Sequence, residues 1–225
     1  MKSRRTVLTL AVIIAACLGG RVSLAQNEEG ERASEAAKVL KQIQEATDTN
    51  IPKQILDKAR AIAVFPSTVK GAFIVGAQHG KGLISARMDG KWSAPAFVTL
   101  TGGSLGFQIG GQATDIVLVV MNQRGLENLS SNSFKIGGDA SVAAGPVGRE
   151  ATAATDYKFE AEILSYSRSR GVFAGISLNG STIRADRDAN RHVYGSDFTT
   201  SQIVTEGKGG TPTIVAEWMA EVGRL

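Results

Sequence analysis

The chain contains the stretch Gly102-Gly103-Ser104-Leu105-Gly106-Phe107-Gln108-Ile109-Gly110-Gly111, followed by the apolar run Ile116–Met121. Five of these ten residues are glycine, yet several of the others are large and apolar, which a flexible linker does not need. Glycine inside a strand marks a bulge, a bend or the close approach of another backbone. A continuous apolar run is typical of a strand buried on both faces. The stretch therefore predicts a curved β-core.

Helical patterns lie on either side of this core. Apolar residues recur at spacings of three and four within Glu31–Thr47, which predicts an amphipathic helix. Asn50 is expected to cap a second helix with Pro52 in its first turn, and a last helix is expected over Pro212–Val222. We predict an α+β fold with a curved, glycine-rich, mainly antiparallel β-core, barrel-like or sandwich-like, between N-terminal and C-terminal helices.

Three local signals set the expected strand ends before the glycine stretch. Pro66 should end a strand that begins at Ala61, and Asp89-Gly90 is a strong hairpin signal. Gly76–Lys81 resembles a phosphate-binding loop, but it lacks the required four-residue gap, and Gly82 stands where Ser or Thr is needed. We interpret Gly76–Lys81 as a hairpin turn.

Residues 1–25 have the pattern of an export signal, in which Lys2, Arg4 and Arg5 precede an apolar run. This run is shorter than the roughly 20 residues that span a bilayer. Cleavage after Ala25 and lipidation of Cys17 both fit the sequence, and the paired arginines also resemble a twin-arginine signal. The expected organisation is a signal peptide over 1–25, or ending before Cys17, a spacer over 26–30 and one domain over 31–225.

The expected mature domain has no net charge. The chain has 25 Lys and Arg against 21 Asp and Glu, and residues 1–25 hold four basic and no acidic residues, so 25 − 4 = 21 on each side. Nucleic-acid binding calls for a basic domain and is therefore not expected. Cys17 is the only cysteine, so neither a disulfide nor a thiolate metal site is expected after processing, and no cofactor is predicted.

Ser104 lies in a Gly-x-Ser-x-Gly pattern, which is typical of a hydrolase nucleophile on a turn between a strand and a helix. Gly106 and Gly110 oppose a helix after this serine. The only candidate bases are His79 and His192. We therefore predict a protein that is not an enzyme.

Several segments resemble the SYLF-domain family, which includes yeast actin-patch proteins. The segments are Trp92–Ala96, residues 102–111 with Asp115, Gly137–Arg149, Tyr166–Gly180 and Asn190–Gly195. The resemblance covers nearly all of the chain after Arg32 and marks a set of structural signature positions. These positions are Gly102, Gly103, Gly106, Gly110, Asp115, Gly145, Pro146, Gly148, Arg149, Gly171, Gly175, Gly180, Asn190 and Tyr194.

The resemblance implies a lipid-binding domain. In eukaryotic SYLF domains the segment that matches the first helix is implicated in phosphoinositide binding, and here it carries Arg32, Lys38 and Lys41. Such a helix would lie on an anionic membrane. The alternative is that its apolar stripe packs on the β-core and leaves the basic side chains in solvent.

Arg168, Arg170 and Arg191 form a second candidate set for head-group phosphates, which suit the planar guanidinium fork. Arg168 and Arg170 share one strand face because side chains alternate along a strand. Internal salt bridges are an equally open interpretation of this set. A buried Asp115 would need backbone donors or an arginine.

The sequence thus predicts an exported, non-enzymatic domain that associates peripherally with membranes through head-group phosphates. The alternative is a structural or protein-interaction domain of the cell envelope without lipid affinity. Eukaryotic relatives bind actin, but actin is not expected as a partner of an exported protein of bacterial type. The expected location is periplasmic or extracellular, or the outer membrane if Cys17 is lipidated.

The export signal gives a first testable prediction. Protein purified from its native host should begin at Gln26 or at a lipidated Cys17, as measured by mass spectrometry. An intact Met1 on protein from the cytoplasm would contradict the prediction. Cys17→Ser should release the protein from the membrane only if the lipoprotein route is used.

Overall fold

The computed structural model describes residues 28–45, 51–71, 76–104, 113–131, 133–148, 161–169 and 172–225. Helices are found near both ends of the described chain, and the strands lie between them. The helices are α1 (residues 28–45), α2 (Lys53–Lys58), α3 (Gln123–Leu129), α4 (Arg187–Tyr194), α5 (Thr200–Val204) and α6 (Ala216–Val222), the last preceded by a 3-10 turn, Thr213–Val215. The strands are β1 (Ala61–Gly71), β2 (Gly76–Met88), β3 (Lys91–Trp92), β4 (Ala96–Ser104), β5 (Ala113–Val120), β6 (Ser133–Lys135), β7 (Val142–Ala144), β8 (Ile163–Ser169), β9 (Val172–Gly175) and β10 (Thr182–Ala185).

All ten described strands belong to one sheet with the order β6-β10-β4-β2-β1-β5-β8-β7, while β3 pairs with β2 and β9 with β8. Every strand pair is antiparallel except β7 with β8. The sheet is strongly curled into a half-barrel. This architecture confirms the predicted α+β fold with a curved, mainly antiparallel core.

The central strands are buried on both faces. Along β1, Ile62 and Val64 belong to a core cluster with residues of α1, α2 and α6, whereas Ala63 and Phe65 belong to a second cluster with residues of α3 and α5. We call the two sides the α1 face and the α3 face. Residues 116–120 of β5 are all buried and alternate between the same two clusters. The prediction of a strand covered on both faces is confirmed.

The terminal helices cover the α1 face. The apolar stripe of α1, including Leu40 and Ile43, is buried in the same cluster as Trp218 of α6. The Trp218 indole N–H donates to the hydroxyl of Ser85 in β2 over 2.8 Å, which satisfies the polar end of a fully buried ring. The stripe of α1 therefore belongs to the core and is not free to enter a membrane in this conformation.

The predicted hairpin turn at Gly76–Lys81 is wrong, because these residues lie within β2. A Cβ atom at Gly80 would overlap Thr68, and one at Gly82 would overlap the backbone of Val64, both on the neighbouring β1. These glycines serve the close approach of two strands and not a turn. The Asp89-Gly90 turn is confirmed, and both of its residues have positive φ, 49° and 78°.

Strand β1 does not end at Pro66 as predicted but continues to Gly71. The register of its ladders shifts after Phe65, and Ser67 adopts a positive φ of 48°. Proline lacks a backbone donor and is tolerated in a sheet at such an irregularity. The chain thus passes through the proline with a bulge.

Several other boundaries differ from the prediction. Pro52 is the N-cap of α2 and not a first-turn residue, while Asn50 lies outside the described residues, as do Leu105–Gln112. Strand β10 and helix α5 were not predicted, because each has only four or five residues. A capping box formed by Thr199 and Gln202 fixes the start of α5 within a segment that composition alone describes as polar.

Signature glycines allow close packing around Tyr166. A Cβ atom at Gly145 would overlap the Tyr166 ring, and one at Gly175 would overlap the carbonyl oxygen of Gly145. Gly102 similarly faces Ser181, while Gly148 and Gly180 have positive φ. Gly106, Gly110, Arg149 and Gly171 lie outside the described residues.

Gly175→Ala tests this close packing. The new methyl group would press on the backbone of β7, so we expect a loss of about 1–3 kcal/mol in the free energy of unfolding. Chemical denaturation measures this loss. Gly138→Ala is the matched control because its nearest contact, Lys135, would lie at an ordinary 3.5 Å. Equal stability of the two variants would contradict the prediction.

Candidate functional site

Arg32 is not the solvated residue that the sequence suggested. Its side chain is 6% exposed, and its Nη1 donates to Oδ2 of Asp186 over 2.8 Å. The guanidinium also lies 5.3 Å from the ring centroid of Phe97, a cation–π distance. Arg32 therefore joins α1 to the start of α4 and is not available to a lipid head group in this conformation.

Polar contacts around Arg32 fix α4 against β4. The side chain of Asn190 accepts from the Phe97 N–H at 2.8 Å and donates to the Phe97 carbonyl at 3.0 Å. The Tyr194 hydroxyl donates to the carbonyl of Pro95, and burial raises the pKa of Tyr194. The signature residues Asn190 and Tyr194 thus hold structure together. Arg32 and Asp186 are 154 residues apart, so local sequence patterns could not predict that they form a pair.

Lys38 and Lys41 lie on the exposed side of α1, as predicted. Lys41 is 3.8 Å from Glu45, an exposed pair that contributes at most about 0.5 kcal/mol. Towards its N-terminus, however, α1 borders an open cavity of about 320 Å³. Three glutamates of α1 line it together with Lys81 and His79 of β2: Glu28, Glu31 and Glu35. This acidic half of the helix opposes contact with anionic lipids.

Arg168 is engaged with Asp115. The two residues are directly opposite in the β5–β8 ladder, and Arg168 Nε lies 3.0 Å from Asp115 Oδ2. Oδ1 of Asp115 accepts from the N–H of Ser67 at 2.9 Å, which supports the bulge in β1. Asp115 is therefore satisfied by a backbone donor and an arginine. The Asp115 carboxylate thus connects β5 to Ser67 of β1 and to Arg168 of β8, which is a structural role.

Arg191 is half exposed and lies on α4. Its Nε donates to Asp197 over 2.6 Å, and this hydrogen bond, more than any other contact, raises its pKa. Asp188 lies 3.8 Å from the same guanidinium. Arg170 lies outside the described residues. The two arginines of this set that the structure describes are each engaged with carboxylates of their own, Arg168 with Asp115 and Arg191 with Asp197.

A different surface combines basic, aromatic and apolar side chains. It lies where β2 and β3 meet at the Asp89-Gly90 turn, beside the start of β1. We call it the hairpin end and define it by exposed or half-buried residues that the sequence analysis did not name as binding candidates. They are Lys58, Arg60, Arg87, Met88, Lys91 and Trp92.

Arg87 positions the aromatic ring of the hairpin end. Its guanidinium lies 4.7 Å from the ring centroid of Trp92, its cross-strand partner, and its Nη1 donates to the Asp57 carbonyl over 2.9 Å. That carbonyl belongs to the last turn of α2, where a cation is favoured. Trp92 is consequently held half-buried. Among the described residues, Met88 is the one large apolar side chain that is exposed, at 38%.

Basic residues lie close in sequence or in the ladder to Trp92 and Met88. Arg60 lies beside Arg87, whose N–H donates to the Arg60 carbonyl over 2.7 Å, and Lys91 is opposite Met88 in the β2–β3 ladder. With Lys58, the hairpin end has four basic residues against the acidic Asp57 and Asp89, a net charge of 4 − 2 = +2. The sequence signal that could have identified it is a basic residue followed by a large apolar or aromatic one on each side of the Asp-Gly turn, Arg87-Met88 and Lys91-Trp92.

Two further observations concern the part of the chain that the structure describes. No helix there is long and apolar enough to cross a bilayer. No group of three or more His, Cys, Asp or Glu side chains there is arranged to hold a metal ion.

The geometry defines an α+β domain in which terminal helices close one face of a curled sheet. Residues 101–224 match the family model described as Ysc84, Las17-binding protein actin regulator. The chain is 36% identical to SH3 domain-containing YSC84-like protein 1 of Rattus norvegicus over 179 residues, covering 76% of this chain and 52% of that protein. It is 35% identical to Protein YSC84 of Saccharomyces cerevisiae over 186 residues, covering 79% of this chain and 39% of that protein.

The chain belongs to the Ysc84 family, whose shared domain is the SYLF domain. It spans about half or less of the length of these curated relatives. LAS seventeen-binding protein 3 of Saccharomyces cerevisiae is a further relative, 36% identical over 162 residues, or 70% of this chain and 35% of that protein. The family prediction made from the sequence motifs is confirmed.

The buried ion pair gives a prediction for stability. Arg32→Gln leaves the carboxylate of Asp186 without its charged partner in a site that is 17% exposed. We expect a loss of about 3 kcal/mol in the free energy of unfolding, measured by urea denaturation. The double variant Arg32→Gln/Asp186→Asn should recover part of this loss. Wild-type stability of Arg32→Gln would show that the pair does not hold α1 in place.

Proposed function

We propose that this protein is an exported, non-enzymatic domain that binds anionic membranes peripherally through the phosphates of lipid head groups. The hairpin end is the observation that supports the proposal. Trp92 and Met88 lie on opposite faces of the β2–β3 hairpin, and each brings an amphipathic ring or a flexible apolar group to the same end of the sheet, which suits the bilayer interface. Lys58, Arg60 and Lys91 surround them and supply attraction to anionic lipids.

The hairpin end suits a membrane better than α1 does. The apolar stripe of α1 is buried in the core, so the helix offers only Lys38 and Lys41 beside an acidic N-terminal half. At the hairpin end, in contrast, apolar and basic groups lie on the same exposed turn. Their number is small, so we expect weak, reversible and salt-sensitive association.

The names of the relatives describe Las17 binding and actin regulation. We do not extend these partners to this chain, because the N-terminal pattern favours export and the chain matches only part of each relative. The second candidate is an envelope interaction domain without lipid affinity. A half-buried tryptophan stacked on arginine is also typical of protein interfaces. This observation favours the interaction domain as the second candidate.

Vesicle sedimentation tests the proposal. Arg60→Gln/Lys91→Gln should lower affinity for anionic vesicles about 30-fold at low salt, from about 1 kcal/mol per basic residue near the surface. Lys38→Gln/Lys41→Gln removes the same charge from α1 and should change the affinity by less than about threefold. Circular dichroism should show both variants folded, because all four side chains are exposed.

Tryptophan fluorescence locates the contact independently. The chain has two tryptophans, and Trp218 is fully buried, so brominated acyl chains should quench Trp92 selectively. If the α1 variant loses binding and the hairpin variant does not, the membrane site is α1. If the parent protein fails to sediment with anionic vesicles, the interaction-domain candidate replaces the proposal.

A further inference from the structure

A groove of about 300 Å³ lies on the α3 face, between α3 and α5, where Met88 leaves β2. Met88 and Leu126 give it an apolar side. The rest of its lining is polar and contains no basic side chain: Gln123, Glu127, Ser130, Ser131, Ser201 and Thr205. The groove thus differs chemically from the basic hairpin end that it adjoins through Met88.

Most hydroxyl groups of the groove already donate their hydrogen bonds to other groups of the protein. Thr205 donates to the carbonyl of Ser201 over 2.7 Å. Its hydroxyl lies 3.1 Å from that of Ser201, so Ser201 must be the donor in this second contact, since each hydroxyl has one proton. Ser131 likewise donates to the Ser133 carbonyl over 3.0 Å. The hydroxyls of Ser201 and Ser131 therefore offer a ligand lone pairs only.

The remaining polar groups of the groove add one negative charge, and they add both donors and acceptors. Glu127 is exposed and carries the single formal charge of the lining, and its Oε1 accepts from Nε2 of Gln123 at 3.2 Å. Ser130 is only 5% exposed, and its hydroxyl has no hydrogen-bond partner among the described residues. A buried hydroxyl without a partner costs free energy unless a ligand or solvent satisfies it. Acceptors thus outnumber donors, next to one negative charge.

We propose that this groove binds the primary ammonium group of an ethanolamine phospholipid head group. An ammonium group supplies three N–H donors and a positive charge, which match the lone pairs of Ser131 and Ser201 and the carboxylate of Glu127. Its two-carbon linker would lie along Met88. A choline head group has the same charge but no N–H, so the groove should discriminate against it.

Lys91 is the residue that we assign to the lipid phosphate beside the groove. Lys91 is opposite Met88 in the β2–β3 ladder, so both side chains point to the same face of this hairpin. A phosphate linked to the bound ammonium would meet Lys91. This assignment extends the proposed membrane function, because it names a lipid class at the same end of the molecule, but it can be tested without a membrane.

The experiment uses the soluble head group. Titration of the folded protein with glycerophosphoethanolamine, followed by ¹H–¹⁵N NMR, should shift the amide signals of α3 and α5 saturably with a Kd of about 1 mM, as for a small weak ligand. Glycerophosphocholine should bind at least about tenfold more weakly. Equal shifts with both compounds would overturn the ammonium assignment.

Variants test the individual groups. Glu127→Gln should weaken binding of glycerophosphoethanolamine about five- to tenfold by removing a charge-assisted hydrogen bond. Glu45→Gln, an exposed carboxylate of α1 on the other face, should leave it unchanged. Ser130→Ala should weaken binding without lowering the melting temperature, because it removes a buried hydroxyl that has no partner. Unchanged affinity of Glu127→Gln would contradict the proposal.

Two comparisons separate this inference from the membrane proposal. Free ethanolamine should bind through the same signals but more weakly than glycerophosphoethanolamine, and Lys91→Gln should abolish that difference. If soluble ethanolamine ligands bind while anionic vesicles do not retain the protein, the groove assignment stands and the membrane proposal fails. If vesicles retain the protein but the soluble ligand gives no saturable shifts, the groove assignment is overturned.

Discussion

Burial of one sheet from both sides is the constraint on which the rest of the structure depends. Residues 61–65 of β1 and 116–120 of β5 are inaccessible to water on either face. Their peptide groups must therefore be satisfied in the ladder, and their side chains must be covered by other elements. The α1 face is closed by the two ends of the chain and the α3 face by short internal helices. The polar groups at the centre of this sheet, such as Ser85, are buried and bonded within the protein, whereas the exposed charged and aromatic groups of the hairpin end lie at the end of its strands.

Local signals in the sequence were sufficient for elements whose contacts are local. The run Ile116–Met121 and the Asp89-Gly90 turn were predicted near their observed positions, and helix α3 also begins at a local signal. Asn122 accepts from the Gly125 N–H at 2.8 Å, a cap that needs only neighbouring residues. The glycines of β2 were misinterpreted because their partners are on another strand. A glycine that admits a neighbouring backbone and one that turns the chain look the same in sequence.

The candidate sites also divide into those with local contacts and those whose partners are distant in sequence. Family resemblance directed attention to Arg32 and guanidinium chemistry to Arg168, but each is paired with a carboxylate distant in sequence, Asp186 and Asp115. An arginine at such a position can form a structural ion pair or bind a ligand, and a family resemblance does not distinguish these two roles. The hairpin end is the reverse case. Arg87 and Trp92 are close in sequence and in space, but their value as a surface depends on α2 lying beside them.

The contact between Trp218 and Ser85 has a consequence for how the molecule forms. These residues are separated by 133 positions, and the tryptophan fills the α1 face together with α1 itself. The core on that face stays open until α6 has been synthesised, because its last large side chain arrives only with that helix. Long-range closure of this kind slows folding relative to translation. Until then the apolar stripe of α1 lacks its partner on α6, so the nascent chain keeps an apolar surface in contact with water or a chaperone.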